Sequence, residues 1–322
     1  MALGYHGRLY ILAFDHRGSF QKKLFGISDT PNAEETRRIA DAKHLIVEGF
    51  QQAIADGAPR DAAGILVDEQ FGAAIAHEVK LAGHLFAMLV EKNGQDEFDF
   101  EYGNDFGAHI EEFDPSFAKV LVRWNPGGDR VMNARQGERL ARLSEWIHRR
   151  DRKFLFELLV PAERAQLEEL GGSGDRYDTD LRPALMVQAI AEIQAAGVEP
   201  DIWKIEGVNS REECACIAEQ TRAGGRDDVV CVVLGRGADD AAVDRWLRAG
   251  AGVPGYVGFA IGRSIWWDAV KGKLDGSMTR DAAVAQIARR YLRFIDVYEE
   301  QASSKAAPAA RVDRVPDTRK IL

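Results

Sequence analysis

Cysteine is scarce in this chain. Cys214, Cys216 and Cys231 are its only three, and they show no paired metal-ligand spacing. A small odd number argues against a disulfide framework and fits the reducing cytoplasm, the expected location. Cys214 and Cys216 fall two apart in a helix-forming run, where such positions face different ways. Long apolar runs are also missing, so no segment is suited to span a bilayer as a helix, and no membrane partner is expected. Residues Met1 to Arg8 hold no apolar signal segment. Basic runs are absent and the net charge is −9, which argues against a nucleic-acid partner. A local basic pocket for a phosphorylated metabolite is still compatible with that balance. Three short signatures are lacking: the Gly-x-x-x-x-Gly-Lys-Ser/Thr phosphate loop, Gly-x-Gly-x-x-Gly after the first strand, and His-Glu-x-x-His on a helix. No cofactor is expected.

What the 322 residues do hold is a repeated alternation, with 46% hydrophobic residues to build a large core. Arg8 to Phe14 is almost wholly apolar, like a strand buried on both faces of a parallel sheet. It ends in Asp15-His16-Arg17-Gly18. A helix opens at Pro31-Asn32, carries Ile39, Ala42, Ile46, Phe50 and Ile54 at helical spacing, and stops at Gly57. Further strands are predicted at Gly64 to Val67, His84 to Val90, Ala118 to Val122 and Phe154 to Val160. Three more follow: the Pro200 to Gly207 stretch that holds Lys204, Val229 to Leu234, and Tyr256 to Ile261. Helices are predicted at Phe71 to Val79, around Leu140 to Ile147, at Leu181 to Ala196, from Ser210, at Ala241 to Arg248, at Ile265 to Val270, and from Arg280.

Eight strand and helix units imply a (β/α)8 barrel, which commonly takes ~250 residues. A doubly wound open sheet is the competing fold. It would draw its site only from strands near the switch point, whereas polar residues here follow nearly every strand. One domain is expected over 1–300. Residues 301–322, rich in Ala, Lys, Arg and Pro, are expected to be a flexible or interface-forming tail. The acidic, aromatic segment 93–107 reads as a long functional loop or lid, or as a plain solvated loop. A symmetric homo-oligomer is expected, as for many barrels.

Candidate chemistry sits in and after the strands. Lys204 lies in an apolar strand, where an ammonium is costly to bury. Desolvation favours the neutral amine, which can attack a carbonyl to form a Schiff base. A lysine paired with Glu206 or another carboxylate for structure is the alternative. Lys119 beside Lys204 would form a like-charge pair, each depressing the other's pKa. Glu157, inside its strand, could shuttle protons or simply pair with either lysine. Gly235-Arg236-Gly237 and Gly262-Arg263-Ser264 follow the last two strands, where barrels often bind phosphate. Ordinary turn glycines with surface arginines are the plain reading of these turns. A metal site built from Asp15, His16 and Asp68 is a weaker alternative, and none is expected.

Several motifs match a known family. They are Leu9-Tyr10-Ile11-Leu12-Ala13-Phe14-Asp15-His16-Arg17-Gly18, Glu91-Lys92-Asn93-Gly94-Gln95-Asp96-Glu97-Phe98, Lys119-Val120-Leu121-Val122-Arg123-Trp124-Asn125-Pro126 and Trp203-Lys204-Ile205-Glu206-Gly207. Together they resemble the aldolase domain on the C-terminal side of bacterial 5-dehydro-2-deoxygluconokinase proteins of inositol catabolism. More remotely they are similar to class I tagatose-1,6-bisphosphate and sulfofructose-phosphate aldolases. The resemblance spans roughly Arg8 to Glu300. It implies a class I aldolase cleaving 2-deoxy-5-keto-D-gluconate 6-phosphate to dihydroxyacetone phosphate and malonate semialdehyde. A related ketose-phosphate aldolase or a non-catalytic sugar-phosphate-binding regulator is the alternative. It also implies catalytic roles for Lys204, Glu157, Lys119 and Asp15. Arg17, Asp68, Lys92, Gly235, Arg236, Gly262 and Arg263 would meet a phosphorylated sugar or sugar acid. The tagatose enzymes carry a small Ser/Ala-Gly turn where this chain has Gly235-Arg236-Gly237, so Arg236 would meet a different end of the substrate.

Overall fold

Every residue of Leu-Tyr-Ile-Leu-Ala, the first strand β1 (Leu9–Ala13), is buried, as a strand covered on both faces requires. The computed structural model describes residues 2–306. Seven further strands follow: β2 (Ala63–Val67), β3 (Leu85–Leu89), β4 (Phe117–Arg123), β5 (Lys153–Leu159), β6 (Ile202–Glu206), β7 (Val230–Leu234) and β8 (Tyr256–Ile261). All pair in parallel and in chain order, and β8 closes on β1. The expected (β/α)8 barrel is therefore the fold.

Alternation along each strand decides what the barrel holds. Leu9, Ile11 and Ala13 point inward with Leu89, Phe117, Leu155, Ile202, Val232 and Ala260, filling the barrel's interior. Tyr10, Leu12, Phe154, Phe156, Trp203 and Ile205 belong instead to the larger core that also includes helix side chains. With a side-chain period of two, the inward row continues up each strand to Asp15, Glu91, Lys119, Glu157 and Lys204. The register sets Glu157 directly beside Lys204 across β5 and β6. This phase gathers the charged groups at the C-terminal mouth, where barrels carry their chemistry.

Helices α1 (Gly18–Phe25), α2 (Ala33–Ala55), α3 (Glu69–Leu81), α4 (Phe106–Phe113), α5 (Arg130–Arg149), α6 (Arg164–Glu169), α7 (Gly174–Arg176), α8 (Arg182–Ala195), α9 (Arg211–Arg222), α10 (Asp240–Gly250), α11 (Arg263–Leu274) and α12 (Arg280–Ala306) accompany the strands. A π-turn, Tyr177–Leu181, joins α7 to α8. α2 starts at a reciprocal capping box: the Asn32 side chain accepts from Glu34 and Glu35 N–H, and Glu35 accepts from Asn32 N–H.

Three expectations change. α1 forms directly after the first strand's polar burst. Segment 93–107 is held down by its aromatics, since Phe98, Phe100 and Phe106 are all buried. α12 continues through 301–306 of the expected tail, and 307–322 lie outside the described residues. Among the described residues no helix is long and apolar enough to cross a membrane.

Candidate active site

A cavity of about 940 Å³ opens at the C-terminal mouth. Asp15, Lys119, Glu157 and Lys204 line it, as do Arg17, Lys92, Gly235, Arg236, Gly262 and Arg263. The structure thus brings together ten of the eleven positions named from sequence.

Lys119 is the electrostatic centre. Its Nζ lies 3.0 Å from Asp15 Oδ2, 2.8 Å from Glu91 Oε1 and 2.9 Å from Glu157 Oε2. Burial alone would lower its pKa, but the charges of Asp15, Glu157 and Glu91 outweigh it and hold Lys119 well above the usual lysine range. The expectation that Lys204 would depress Lys119 is thereby corrected: three carboxylates outweigh one like charge. Lys204 Nζ lies 3.0 Å from the same Glu157 Oε2. One carboxylate oxygen therefore bridges both amines. Burial works against ionisation of Asp15 and Glu157, yet Lys119 and Lys204 hold both carboxyls below their ordinary values. Glu91 goes the other way, pushed up by burial against the pull of Lys119.

His16 stands over this group, with Nδ1 3.8 Å from Asp15 Oδ1 and its ring edge-on to Trp266. Burial pushes its pKa down to about 4, against the opposing charge of Asp15. A half-buried imidazole with a pKa of about 4 is neutral at pH 7.

The expected phosphate turns take different roles. Arg263 donates to the Arg236 carbonyl at 2.8 Å. It opens α11, whose cap residue Gly262 provides no side-chain cap. The guanidinium of Arg236 is already occupied, lying 2.7 Å from Asp178 and 3.1 Å from Glu206. Its backbone sits at φ +50°, in the left-handed region, which turns its carbonyl toward Arg263. Arg17 fastens segment 93–107, donating at 2.8 Å to both Glu101 and the Glu91 carbonyl. Lys92 lies exposed on the rim.

Asp68 is the correction. It is fully buried, paired with Lys43, and accepts the Phe71 N–H at 2.9 Å. The physical reason is helix capping. α3 begins at Glu69, immediately after Asp68, so the carboxylate turns back over the helix's open N–H groups instead of into the mouth. The Asp15, His16 and Asp68 metal grouping fails with it. Among the described residues no three of His, Cys, Asp or Glu are grouped so as to hold a metal ion.

Sequence reasoning gave no role to Tyr177, Asp178 or Lys43, placed Glu91 only within a matched motif, and named Glu206 only as the alternative, structural partner of Lys204. Strand parity would have found Glu91, two residues beyond inward Leu89. Glu206 does not pair with Lys204. It accepts the Val160 N–H at 2.9 Å and meets Arg236, and burial pushes its pKa up. Tyr177 and Asp178 come from an insert between β5 and α8 that carries no apolar period.

Fold and mouth define a (β/α)8 barrel with a lysine-carboxylate-lysine site. Residues 4–302 match the family described as "Uncharacterized protein conserved in bacteria (DUF2090)", and the chain belongs to that family. No curated protein matches the sequence. Among solved structures, the chain is similar in fold to Cgl0159 from Corynebacterium glutamicum (Brevibacterium flavum), at 20% identity and a TM-score of 0.56, over 91% of this chain and 88% of that one. It is also similar to fructose-bisphosphate aldolase from Plasmodium falciparum, solved with TRAP and a small-molecule inhibitor, at 13% identity and a TM-score of 0.64, over 93% and 92% of the two chains.

Proposed function

We propose that this chain is an imine-forming, class I aldolase for a phosphorylated keto sugar or keto sugar acid. The observation that carries the reading is the shared carboxylate oxygen, Glu157 Oε2, at 2.9 Å from Lys119 and 3.0 Å from Lys204.

Lys204 attacks the ketone carbon and passes a proton to Glu157. The same carboxyl then protonates the departing hydroxyl, so that water leaves and the iminium forms. The iminium is an electron sink. When Glu157, a carboxylate again, takes the proton of the hydroxyl on the β-carbon, the adjacent C–C bond breaks and the aldehyde departs. The electron pair stays as an enamine on Lys204. Protonation at carbon and hydrolysis release the second product and restore the amine. Lys119, kept charged by its carboxylates, holds a substrate oxygen, and Asp15 fixes Lys119. Arg263 and the uncapped start of α11 hold the phosphate. Arg236 reaches substrate only by exchanging Asp178 or Glu206 for it.

The substrate we propose is 2-deoxy-5-keto-D-gluconate 6-phosphate, giving dihydroxyacetone phosphate and malonate semialdehyde. The motif resemblance supports it. The enzyme would serve inositol catabolism in the cytoplasm. A bisphosphate or sulfonate ketose is the alternative substrate for the same chemistry.

The test is borohydride trapping with dihydroxyacetone phosphate, followed by intact mass and peptide mapping. A stable adduct on Lys204 is expected. An adduct on another lysine moves the nucleophile. Binding without any adduct overturns the reading in favour of a regulator or a different mechanism.

A further inference from the structure

Lys43 lies on α2, outside the barrel, and takes no part in the chemistry above. It is wholly buried, yet it donates at 2.8 Å to the Phe14 carbonyl and at 3.0 Å to the His16 carbonyl. Its third bond goes to Asp68 Oδ1. Those two carbonyls bracket Asp15 just where β1 ends at Ala13. The last ladder bond there runs from Phe14 N–H to the Leu66 carbonyl, at 2.8 Å. Beyond it the chain must turn out to α1, and buried carbonyls need a donor from elsewhere. Lys43 supplies both. Asp68 holds the ammonium from the far side and is itself fixed by the Phe71 N–H. The rings of Phe20 and Phe71 flank the same ammonium at 5.2 and 5.8 Å.

We propose that Lys43 is a positioning residue: it grips the peptides around Asp15 from behind and so sets the aim of Asp15 at Lys119. The proposal rests on the aldolase reading for its catalytic consequence, but its geometric content stands apart from that reading. A buried ion pair that merely stabilised α2 would need neither carbonyl. Asp68, named from sequence as a substrate contact, is instead the counter-ion of this ammonium.

Lys43→Met alone would strand a buried carboxylate, so it is combined with Asp68→Asn. The asparagine keeps an oxygen for the Phe71 N–H. Asp68→Asn alone keeps Lys43 and both carbonyl bonds. Two probes use dihydroxyacetone phosphate. Borohydride trapping reads the imine on Lys204, and exchange of the α-carbon proton with D2O, followed by NMR, reads the enamine step. A crystal structure of the double variant reads Asp15 itself.

In the double variant the adduct forms as in the native protein, exchange slows about 100-fold, the loss typical of a misplaced group, and Asp15 moves beyond hydrogen-bond reach of Lys119. Asp68→Asn alone exchanges at close to the native rate. Undiminished exchange in the double variant, or an unmoved Asp15, overturns the proposal. So does loss of the adduct, which would show damage reaching Lys204. If the double variant does not fold, Lys43→Gln with Asp68→Asn, one bond shorter but still polar, takes its place: slowed exchange supports the grip on the carbonyls, and native exchange overturns it. If the native protein forms no adduct on Lys204, the aldolase reading fails, and the position of Asp15 in the double variant still judges Lys43.

Discussion

At the scale of single residues, the site is a problem of shared charge. Two buried lysine side chains lean on one oxygen of Glu157, and Lys119 has Asp15 and Glu91 besides. Lys204 has Glu157 as its one ion-pair partner among the described residues. The two lysines are thus unequal, with Lys119 locked as a fixed cation and Lys204 held by one carboxylate alone. Lys204→Ala should abolish both adduct and turnover. Glu157→Gln keeps shape but removes the proton carrier, so turnover should fall about 10²- to 10⁴-fold while substrate still binds. Measured kcat and KM separate these outcomes. Lys119→Met should do a different kind of harm. It leaves three carboxylates facing one another in the barrel, a cost of about 3–5 kcal/mol for a broken buried pair, read by denaturant unfolding. Turnover should persist in EDTA, because every step proposed uses side chains of this chain. Loss of activity that divalent metal restores would contradict that mechanism.

At the scale of elements, the mouth depends on how tightly β8 returns to β1. A Cβ at Gly262 would stand 2.2 Å from the Ala13 carbonyl oxygen. The Gly262 turn is therefore packed directly on the strand that delivers Asp15, and Gly262→Ala must push the two apart. Overpacking of this kind costs about 1–3 kcal/mol. The variant should show a lower unfolding midpoint together with a raised KM for phosphorylated substrate. Much of this architecture is legible in the sequence, and the reason is parity. A strand covered on both faces appears as an unbroken apolar run, and a polar residue inside it, such as Lys119, Glu157 or Lys204, has few places to go. Where the chain leaves the strand, parity ends and local turn chemistry takes over. Asp15 keeps the inward phase because the chain runs on to Arg17 before α1 starts. Asp68 loses it because α3 starts at once and claims its carboxylate as a cap. Lys43 was legible in principle: it stands four residues after Ile39 and three before Ile46, on the buried stripe of α2. A lysine among apolar neighbours on a helix is usually assigned to its solvated edge, since the long stem can reach out. Only tertiary structure shows that this one reaches in.

At the scale of the whole molecule, the charged cluster of the mouth is matched by a buried charge at the opposite end of the barrel. The counterpart of the mouth is Asp201, fully buried just before β6 at the closed end. It accepts from Gly4 N–H at 2.8 Å, Phe154 N–H at 2.8 Å and Lys153 Nζ at 2.9 Å, and lies 3.1 Å from His148 Nε2. One carboxylate thus ties the N-terminal segment, β5 and α5 to the foot of the barrel. Burial opposes its ionisation, but the bonds from His148, Phe154, Lys153 and Gly4 outweigh it and hold its pKa below the ordinary value of 3.8. A carboxyl whose folded pKa is depressed adds stability that is fully present above the unfolded value and is lost as pH falls through the folded one. Asp201→Asn should therefore destabilise the protein by about 3 kcal/mol at neutral pH. The gap to the native protein should close as the pH drops below 3.8, where the native carboxyl also begins to take up its proton. Because none of the proposed steps uses this end, borohydride trapping on Lys204 should be unchanged in the folded variant at pH 7. Unfolding midpoints across pH, paired with adduct yield at pH 7, check both halves. A pH-independent gap would mean that Asp201 acts through shape alone. A lost adduct would mean that the foot of the barrel governs its mouth.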